Sequence, residues 1–230
     1  MAMMRLDAKQ VLQRHDKALT KKEDFRNLYD EAYEFALPQR NLYDGYYNGG
    51  VQGQKKMNRV FDSTAINSTQ RFANRMQSGI FPPQRKWSRL EPGSDIPQDR
   101  KAEAQAALDA YGDKLFDTLK QSNFDIAIGE FLLDLCVGTA VMLVQPGDDT
   151  NPINFISVPQ FLVAFDEGAN GQVDNVYRRM KLKAESIQRQ WPDAEIPAEL
   201  KNLIDQKPTE EVELVEATAQ VVEAATQQQG

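Results

Sequence analysis

The chain has 230 residues, of which 41% are hydrophobic and 27% charged, enough apolar material for one sizeable core or two modest ones. Lys and Arg number 27 against 34 Asp and Glu, a net charge of −7, which excludes a protein whose main work is gripping phosphates, because that needs many counterion-releasing cations. It leaves room for a protein that DNA merely passes. The single cysteine, Cys136, excludes an intrachain disulfide framework and favours a reducing compartment. The N-terminal MAMMRLDAKQ turns charged too soon for a signal peptide. The longest apolar stretch, Phe131 to Val144, is broken by Asp134 and Gly138 and falls short of the ~20 residues of a spanning helix. The composition reads as that of a soluble, intracellularly made protein.

In chain order, the first element is a long helix within residues 1–37. Val11, Leu12, Ala18, Leu19, Phe25, Leu28, Tyr29, Ala32, Tyr33 and Ala36 recur at three- and four-residue spacing from about Asp7 to Leu37. Lys9, Arg14, Lys17, Lys22, Glu23, Asp30 and His15 fall on its wet side, and Pro38 stops it. A glycine- and tyrosine-rich loop follows, Gln39 to Met57, with Tyr43, Tyr46 and Tyr47 as anchors to its own domain or to a neighbouring subunit, stacking on bases being the rarer use.

Residues 58–136 read as helical. Asp62 or Ser63 caps a second helix, whose buried face carries Ala65, Ile66, Thr69, Phe72, Ala73 and Met76 and which ends at Ser78-Gly79. Pro82-Pro83 forces an extended exit, and Trp87 sits between Lys86 and Arg89. A third helix spans about Gln98 to Gln121, with Ala104, Ala107, Leu108, Tyr111, Leu115 and Leu119 on one side. A fourth, Phe124 to Cys136, is apolar enough to be buried.

Residues 139–182 switch to strand periodicity: Thr139 to Gln145, Asn154 to Phe165 and Val173 to Leu182. Asn170-Gly171 makes a tight hairpin turn between the last two. Short helices follow within 183–208, at Ala184 to Trp191 and Ala198 to Gln206. The fold class is α+β: a mainly helical N-terminal half, then an antiparallel sheet and short helices. The segment 209–230 is an acidic, Gln-rich tail in which Glu211 to Ala217 alternates as an edge strand and the last ten or so residues lack the apolar groups needed for order.

No catalytic constellation is apparent. The chain has no glycine-rich phosphate loop or dinucleotide fingerprint, and His15 has no second histidine for a metal. A Cys136–His15 nucleophile–base pair is outweighed by the setting of Cys136 in an apolar run, where cysteine acts as a small buried hydrophobe. The loop Asp166 to Gly171 has the opening of an EF-hand but lacks the closing carboxylate, Tyr177 standing at its twelfth position, so it is a hairpin turn and not a calcium site. Asp125, Glu130 and Asp134 read as caps or salt-bridge partners and not as an acid–base pair. The reading is therefore of a non-enzyme with no catalytic, cofactor or metal residues.

The distinctive charge feature is local. Between Arg40 and Arg100 stand Arg40, Lys55, Lys56, Arg59, Arg71, Arg75, Arg85, Lys86, Arg89 and Arg100 against Asp44, Asp62, Glu91, Asp95 and Asp99. A positive region in an acidic chain fits a surface for DNA or an acidic partner. The preferred reading is a subunit interface, its candidates being Arg71, Arg75, Arg85, Lys86, Trp87 and Arg89. The counter-charge would come from the acidic tail or the third helix of a neighbour.

The run Arg59-Val60-Phe61-Asp62-Ser63-Thr64-Ala65, then Arg71-Phe72-Ala73-Asn74-Arg75-Met76-Gln77-Ser78-Gly79-Ile80-Phe81-Pro82-Pro83 and Trp87-Ser88-Arg89-Leu90, resembles the head-to-tail connector, or portal, family of short-tailed phages. Tyr33 to Pro38, Tyr43, Asn123-Phe124 and Gly138-Thr139-Ala140 extend the likeness to about Ala217. The resemblance implies a subunit without a catalytic site, set in a twelve-membered ring at one capsid vertex, with residues 1–208 as the peripheral wing. Its implied partners are further copies of itself, major capsid and scaffolding proteins, tail and adaptor proteins, the terminase motor, and double-stranded DNA passing without sequence specificity. The implied location is the virion portal vertex, reached through the host cytoplasm, with no membrane. Portal subunits run roughly twice this length into stem and clip, so the resemblance also implies a truncated form. The alternative is a non-catalytic helical adaptor that binds virion proteins through the first helix and the acidic tail.

Overall fold

The computed structural model describes residues 7–40, 60–83, 85–168 and 171–219. The glycine- and tyrosine-rich loop, Asn170 and the last eleven residues lie outside them. The helices in chain order are α1 (Ala8–Glu23), α2 (Arg26–Ala36), α3 (Thr64–Ile80), α4 (Lys101–Gln121), α5 (Phe124–Val137), α6 (Ala184–Gln190) and α7 (Ala198–Gln206). The strands are β1 (Val141–Pro146), β2 (Ile153–Val158), β3 (Val163–Glu167), β4 (Val173–Lys183) and β5 (Glu211–Ala219). The architecture is α+β with a helical N-terminal half. The chain divides into two compact units, one made of residues up to Arg26 together with Phe161 onward, the other of Asn27–Gln160.

The apolar spacing predicts one helix from Asp7 to Leu37, but the chain forms two, separated by a turn at Asp24-Phe25 in which the Phe25 amide donates to the Lys22 carbonyl at 3.0 Å. Positions 11, 15, 18, 22, 29 and 33 keep one helical phase across that turn, so periodicity carries no mark of it. The cause is tertiary: α1 belongs to the first unit, and α2 from Asn27 onward to the second. The inward face is also rotated from the expected one. Leu12, Phe25 and Leu28 are exposed, whereas His15, placed on the wet side by the sequence, is only 5% exposed.

In the first unit β3, β4 and β5 form an antiparallel sheet with β4 in the middle. Tyr177 on β4 stands opposite Ala164 on β3 and Ala217 on β5, and these residues form one core with Ala18 and Val11 of α1. The His15 ring meets the Tyr177 ring edge-on at 6.0 Å. Lys22, expected in solvent, instead donates from Nζ to the Val163 carbonyl at 2.8 Å. Burial lowers its pKa from 10.5 to about 8, with Glu23 opposing the fall and Arg179 adding to it. Residues of the other parity, Met180 and Leu214, line a cavity of about 280 Å³ with Ile187 and Trp191 beside α6. β3 and β4 pair as the expected hairpin, but the connection from Glu167 to Val173 is longer than a two-residue turn, the Gly168 amide donating to the Gln172 carbonyl at 2.9 Å; Gly171 sits at φ +70, a backbone that glycine adopts without penalty.

The acidic alternation after Thr209 becomes β5, at the sheet edge. Its carboxylates meet the basic strand β4: Glu213 accepts from Arg179 Nε at 2.7 Å, and Glu216 pairs with Arg178 at 3.5 Å. Glu211 lies opposite Lys183 in the register. Cross-strand pairs of opposite charge fix register, so the acidic strand is matched inside its own unit. The spacing also predicts one strand from Asn154 to Phe165. The chain instead leaves β2 at Pro159, turns through Gln160–Leu162 and enters β3 in the other sheet. Proline lacks the amide that would continue the ladder.

In the second unit α3 packs on α5 through Ala73, Ile128 and Leu132, with Met76, Phe81, Phe131 and Met142 around them. Small residues let the helices approach: Gly129 faces Gln77, whose amide donates to the Asp125 carbonyl at 3.1 Å. The α5 helix then leads into the β1–β2 hairpin. Leu132→Ala should cost about 2–5 kcal/mol of stability, read as an earlier urea midpoint with an unchanged slope. A loss below about 1 kcal/mol would show that Leu132 is not at the centre of this core.

Candidate functional site

The segment Phe61–Leu90 is built from the start of α3 outward. Asp62 Oδ1 accepts the Thr64 amide at 2.8 Å, satisfying a free amide of the first turn, and this hydrogen bond holds the Asp62 carboxyl below its ordinary pKa. The helix runs one residue past the expected stop, through Gly79 to Ile80. Pro82-Pro83, expected to force an extended exit, instead opens a turn in which the Arg85 amide donates to the Pro82 carbonyl at 3.2 Å; the stretch after it lies along α4, where Gln105 Nε2 donates to the Leu90 carbonyl at 3.0 Å.

Trp87 is 37% exposed and is held in place by aromatic rings. It meets Phe81 edge-on at 5.1 Å and Phe116 at 5.3 Å, and stacks on Phe124 at 6.1 Å. Phe124 in turn meets Phe155 at 5.1 Å. Such pairs add roughly 0.5–1.5 kcal/mol each beyond burial, so Trp87 ties the α3 exit, α4, α5 and β2 together while leaving one edge in solvent. The neighbouring cations are fixed by α4. Arg89 makes a two-pronged contact with Asp109, both bonds 3.1 Å, and Lys86 contacts Asp113. The charge pattern predicts that a neighbour's third helix supplies these acids, but here that helix of the same chain does so. The i, i+4 spacing puts Asp109 and Asp113 on one face of α4, but no spacing in the exit segment itself pairs Lys86 and Arg89 with them. Arg71, Arg75 and Arg85 are exposed.

Two further residues of the quoted motifs have structural roles. Asn123 donates to the Phe155 carbonyl at 2.7 Å and accepts the Phe155 amide at 2.9 Å, pairing the backbone of β2 as a strand neighbour would. A Cβ on Gly138 would stand 2.7 Å from Gln160 Oε1 and 3.2 Å from Tyr29 Cε1, so only glycine fits there without a shift.

The sequence profile of the family described as bacteriophage head to tail connecting protein matches residues 8–230. The chain belongs to that family. No match is found among curated proteins. Membership assigns this connector protein a structural role in the virion, joining head and tail.

The remaining candidates of the connector protein are accounted for locally. Cys136, expected to be buried, is exposed, although its Sγ lies 3.8 Å from Oγ1 of the buried Thr69 on α3. It belongs to the second unit and His15 to the first. His15 Nδ1 lies 3.0 Å from Asp16 Oδ1. Asp166, within β3, accepts from Asn175 opposite it on β4 at 3.3 Å. Among the described residues no cluster of three metal-ligating side chains occurs, and no helix is long and apolar enough to cross a membrane.

Asp134, read from the sequence as a cap or salt-bridge partner, is ion-paired, with partners that the sequence did not indicate. Asp134 is 1% exposed, with Tyr33 Oη donating to its Oδ1 at 3.4 Å. Arg40 Nη1 stands 3.2 Å from Oδ2 as an ion pair whose angle is too poor for a hydrogen bond. Arg40 also donates to the Glu130 carbonyl at 2.9 Å, tying the end of the α2 segment to α5. Burial raises the Asp134 carboxyl from 3.8 to about 6, against the lowering by Arg40 and Tyr33 and with a further rise from Glu130. A group with a raised folded pKa favours the folded state below its unfolded value, and that contribution is lost as pH rises through about 6. The stability of the wild type relative to Asp134→Asn should therefore improve by roughly 2 kcal/mol on going from pH 7 to pH 4. Urea denaturation of both proteins checks this, and a pH-independent difference would contradict it.

Proposed function

We propose that the chain is a structural subunit of a ring-shaped connector, or portal, at one capsid vertex, through which double-stranded DNA is packaged and later ejected. The observation that carries this reading is the family match, which spans residues 8–230. Under it the subunit supplies structure and leaves the chemistry of packaging to a separate terminase motor. Its other partners are further copies of itself, major capsid and scaffolding proteins, and tail or adaptor proteins. It assembles in the host cytoplasm and ends in the virion.

A ring needs surfaces that copies can share, and the second unit offers apolar ones. Phe61 is 95% exposed, and Ile80, Leu90 and Ile126 are exposed as well, on a unit whose core is otherwise well filled. Aromatic anchors are the side chains that most often dominate protein interfaces. The seam on this reading takes Phe61, Leu90 and the free edge of Trp87. Lys86 and Arg89 stiffen it through α4 and do not themselves reach across.

Light scattering of the purified full chain tests the reading. It should give a defined multiple of the monomer mass, and Phe61→Ser should shift the distribution toward monomer while the thermal midpoint stays within about 2 °C, as for exposed substitutions. A wild type that stays monomeric at every concentration, or a Phe61→Ser variant that assembles unchanged, would count against it.

A further inference from the structure

We propose that the Phe61 ring of one copy of the chain seats in the groove over Gly112 of a second copy. This rests on the connector reading above, which leaves open what receives Phe61. The groove has a volume of about 590 Å³ and runs between α4 and the segment from Lys86 to Leu90. Leu108, Gly112 and Phe116 stand at i, i+4 and i+8 on α4 and so share one face. Trp87 and Leu90 form the opposite wall. The glycine leaves a notch between the two larger side chains.

Gly112 is unexplained by its own chain. Glycine weakens a helix interior more than any residue but proline. Here the backbone is helical, and a Cβ at this position would meet no atom within 4 Å. The other helical glycines among the described residues have local reasons. Gly79 lies in the last turn of α3, where helix ends fray, and Gly129 faces Gln77. A mid-helix glycine under open space fits a close approach from outside the chain.

The charges around the groove are spent on each other, Lys86 on Asp113 and Arg89 on Asp109. It therefore offers apolar surface and ring edges, without the free convergent polar groups that orient a small polar ligand. Phe61 suits it. At 95% exposed, Phe61 does not fill the groove of its own chain, and a phenyl ring beside Trp87 and Phe116 would extend their aromatic cluster. The flanking charges agree. Asp62 follows Phe61, and Arg85 precedes the groove-lining Lys86; both are exposed, and neither has an ion-pair partner among the described residues. Knob and groove are different patches of one chain, so the contact is heterologous and repeats from copy to copy until it closes.

The test is a double-mutant cycle on the full chain, read by light scattering over a range of concentrations. Gly112→Leu fills the notch, and Phe61→Ser removes the ring. Each should raise the concentration of half-assembly about tenfold or more, as loss of an interface anchor does. The double variant should do no worse than the weaker single variant, because both changes remove one contact. Gly112→Leu should keep its helicity and a thermal midpoint equal to or above that of wild type, since leucine is the better helix former. A second readout leaves α4 untouched. With Trp191→Phe, Trp87 is the sole tryptophan, and its emission should move to shorter wavelength as copies assemble, but not when Phe61→Ser is added. A Gly112→Leu variant that assembles like wild type, additive losses in the cycle, or Trp87 emission unchanged on assembly would overturn the proposal. Rings that form all the same in those cases would leave the connector reading standing without this contact. A defined dimer with the predicted coupling would support the contact and count against the ring. A wild type that is monomeric at every concentration would overturn both.

Discussion

The second unit depends on the close approach of α3 and α5. Ala73 lies against Ile128 and Leu132, and no larger residue at position 73 would allow the same separation. From that contact the rest follows in order. The end of α3 is set against α5, so the chain leaving at Phe81 is directed along α4. Trp87 then meets Phe81, Phe116 and Phe124, and its two cationic neighbours come within reach of Asp109 and Asp113. On α5 itself Asp134 receives Tyr33 and Arg40. A buried charge of this kind is weak evidence for net stability but costly to leave without its partner, so Arg40 ties the end of the α2 segment to α5.

Charge is distributed in the chain by pairing strips of opposite sign. The basic strand β4 faces the acidic β5, and the basic exit segment faces the acidic edge of α4. Both pairings are local to one unit, and both remove acids that would otherwise be available to a partner. The second unit still exposes carboxylates such as Glu103, Asp117, Asp148 and Asp149, beside a set of exposed apolar side chains that includes Phe61, Ile80 and Ile126. This is the pattern of a protein that works by contact, in keeping with its place among the head to tail connecting proteins. Of the surfaces on which the adaptor alternative relies, Val11 and Ala18 of α1 and the carboxylates Glu213 and Glu216 are engaged within the first unit, whereas Leu12, Phe25 and Leu28 stay exposed.

Much of this was legible in the residues. The start of α3 at Asp62-Ser63, the β3–β4 hairpin, α7 and the edge strand after Thr209 each carry a local chemical signal: a cap, a glycine turn, a proline boundary or alternation. The misplacements came where the deciding force was not local. The break at Asp24-Phe25 lies inside an unbroken apolar phase. His15 is buried and Lys22 half-buried because Tyr177 and the Val163 carbonyl meet them from more than a hundred residues away. Cys136 sits in an apolar run but is exposed near the end of α5. At the candidate site the six residues marked by charge and aromaticity divide into two groups. Lys86, Trp87 and Arg89 are held within the unit, and Arg71, Arg75 and Arg85 are not. That division needed the position of α4, which no spacing in the segment itself discloses.

The most direct measurement of the central claim is electron microscopy of the purified full chain. The connector reading predicts closed rings of uniform diameter with a central opening wide enough for duplex DNA. A field of small single particles with no rings, at concentrations where the protein remains folded, would contradict it.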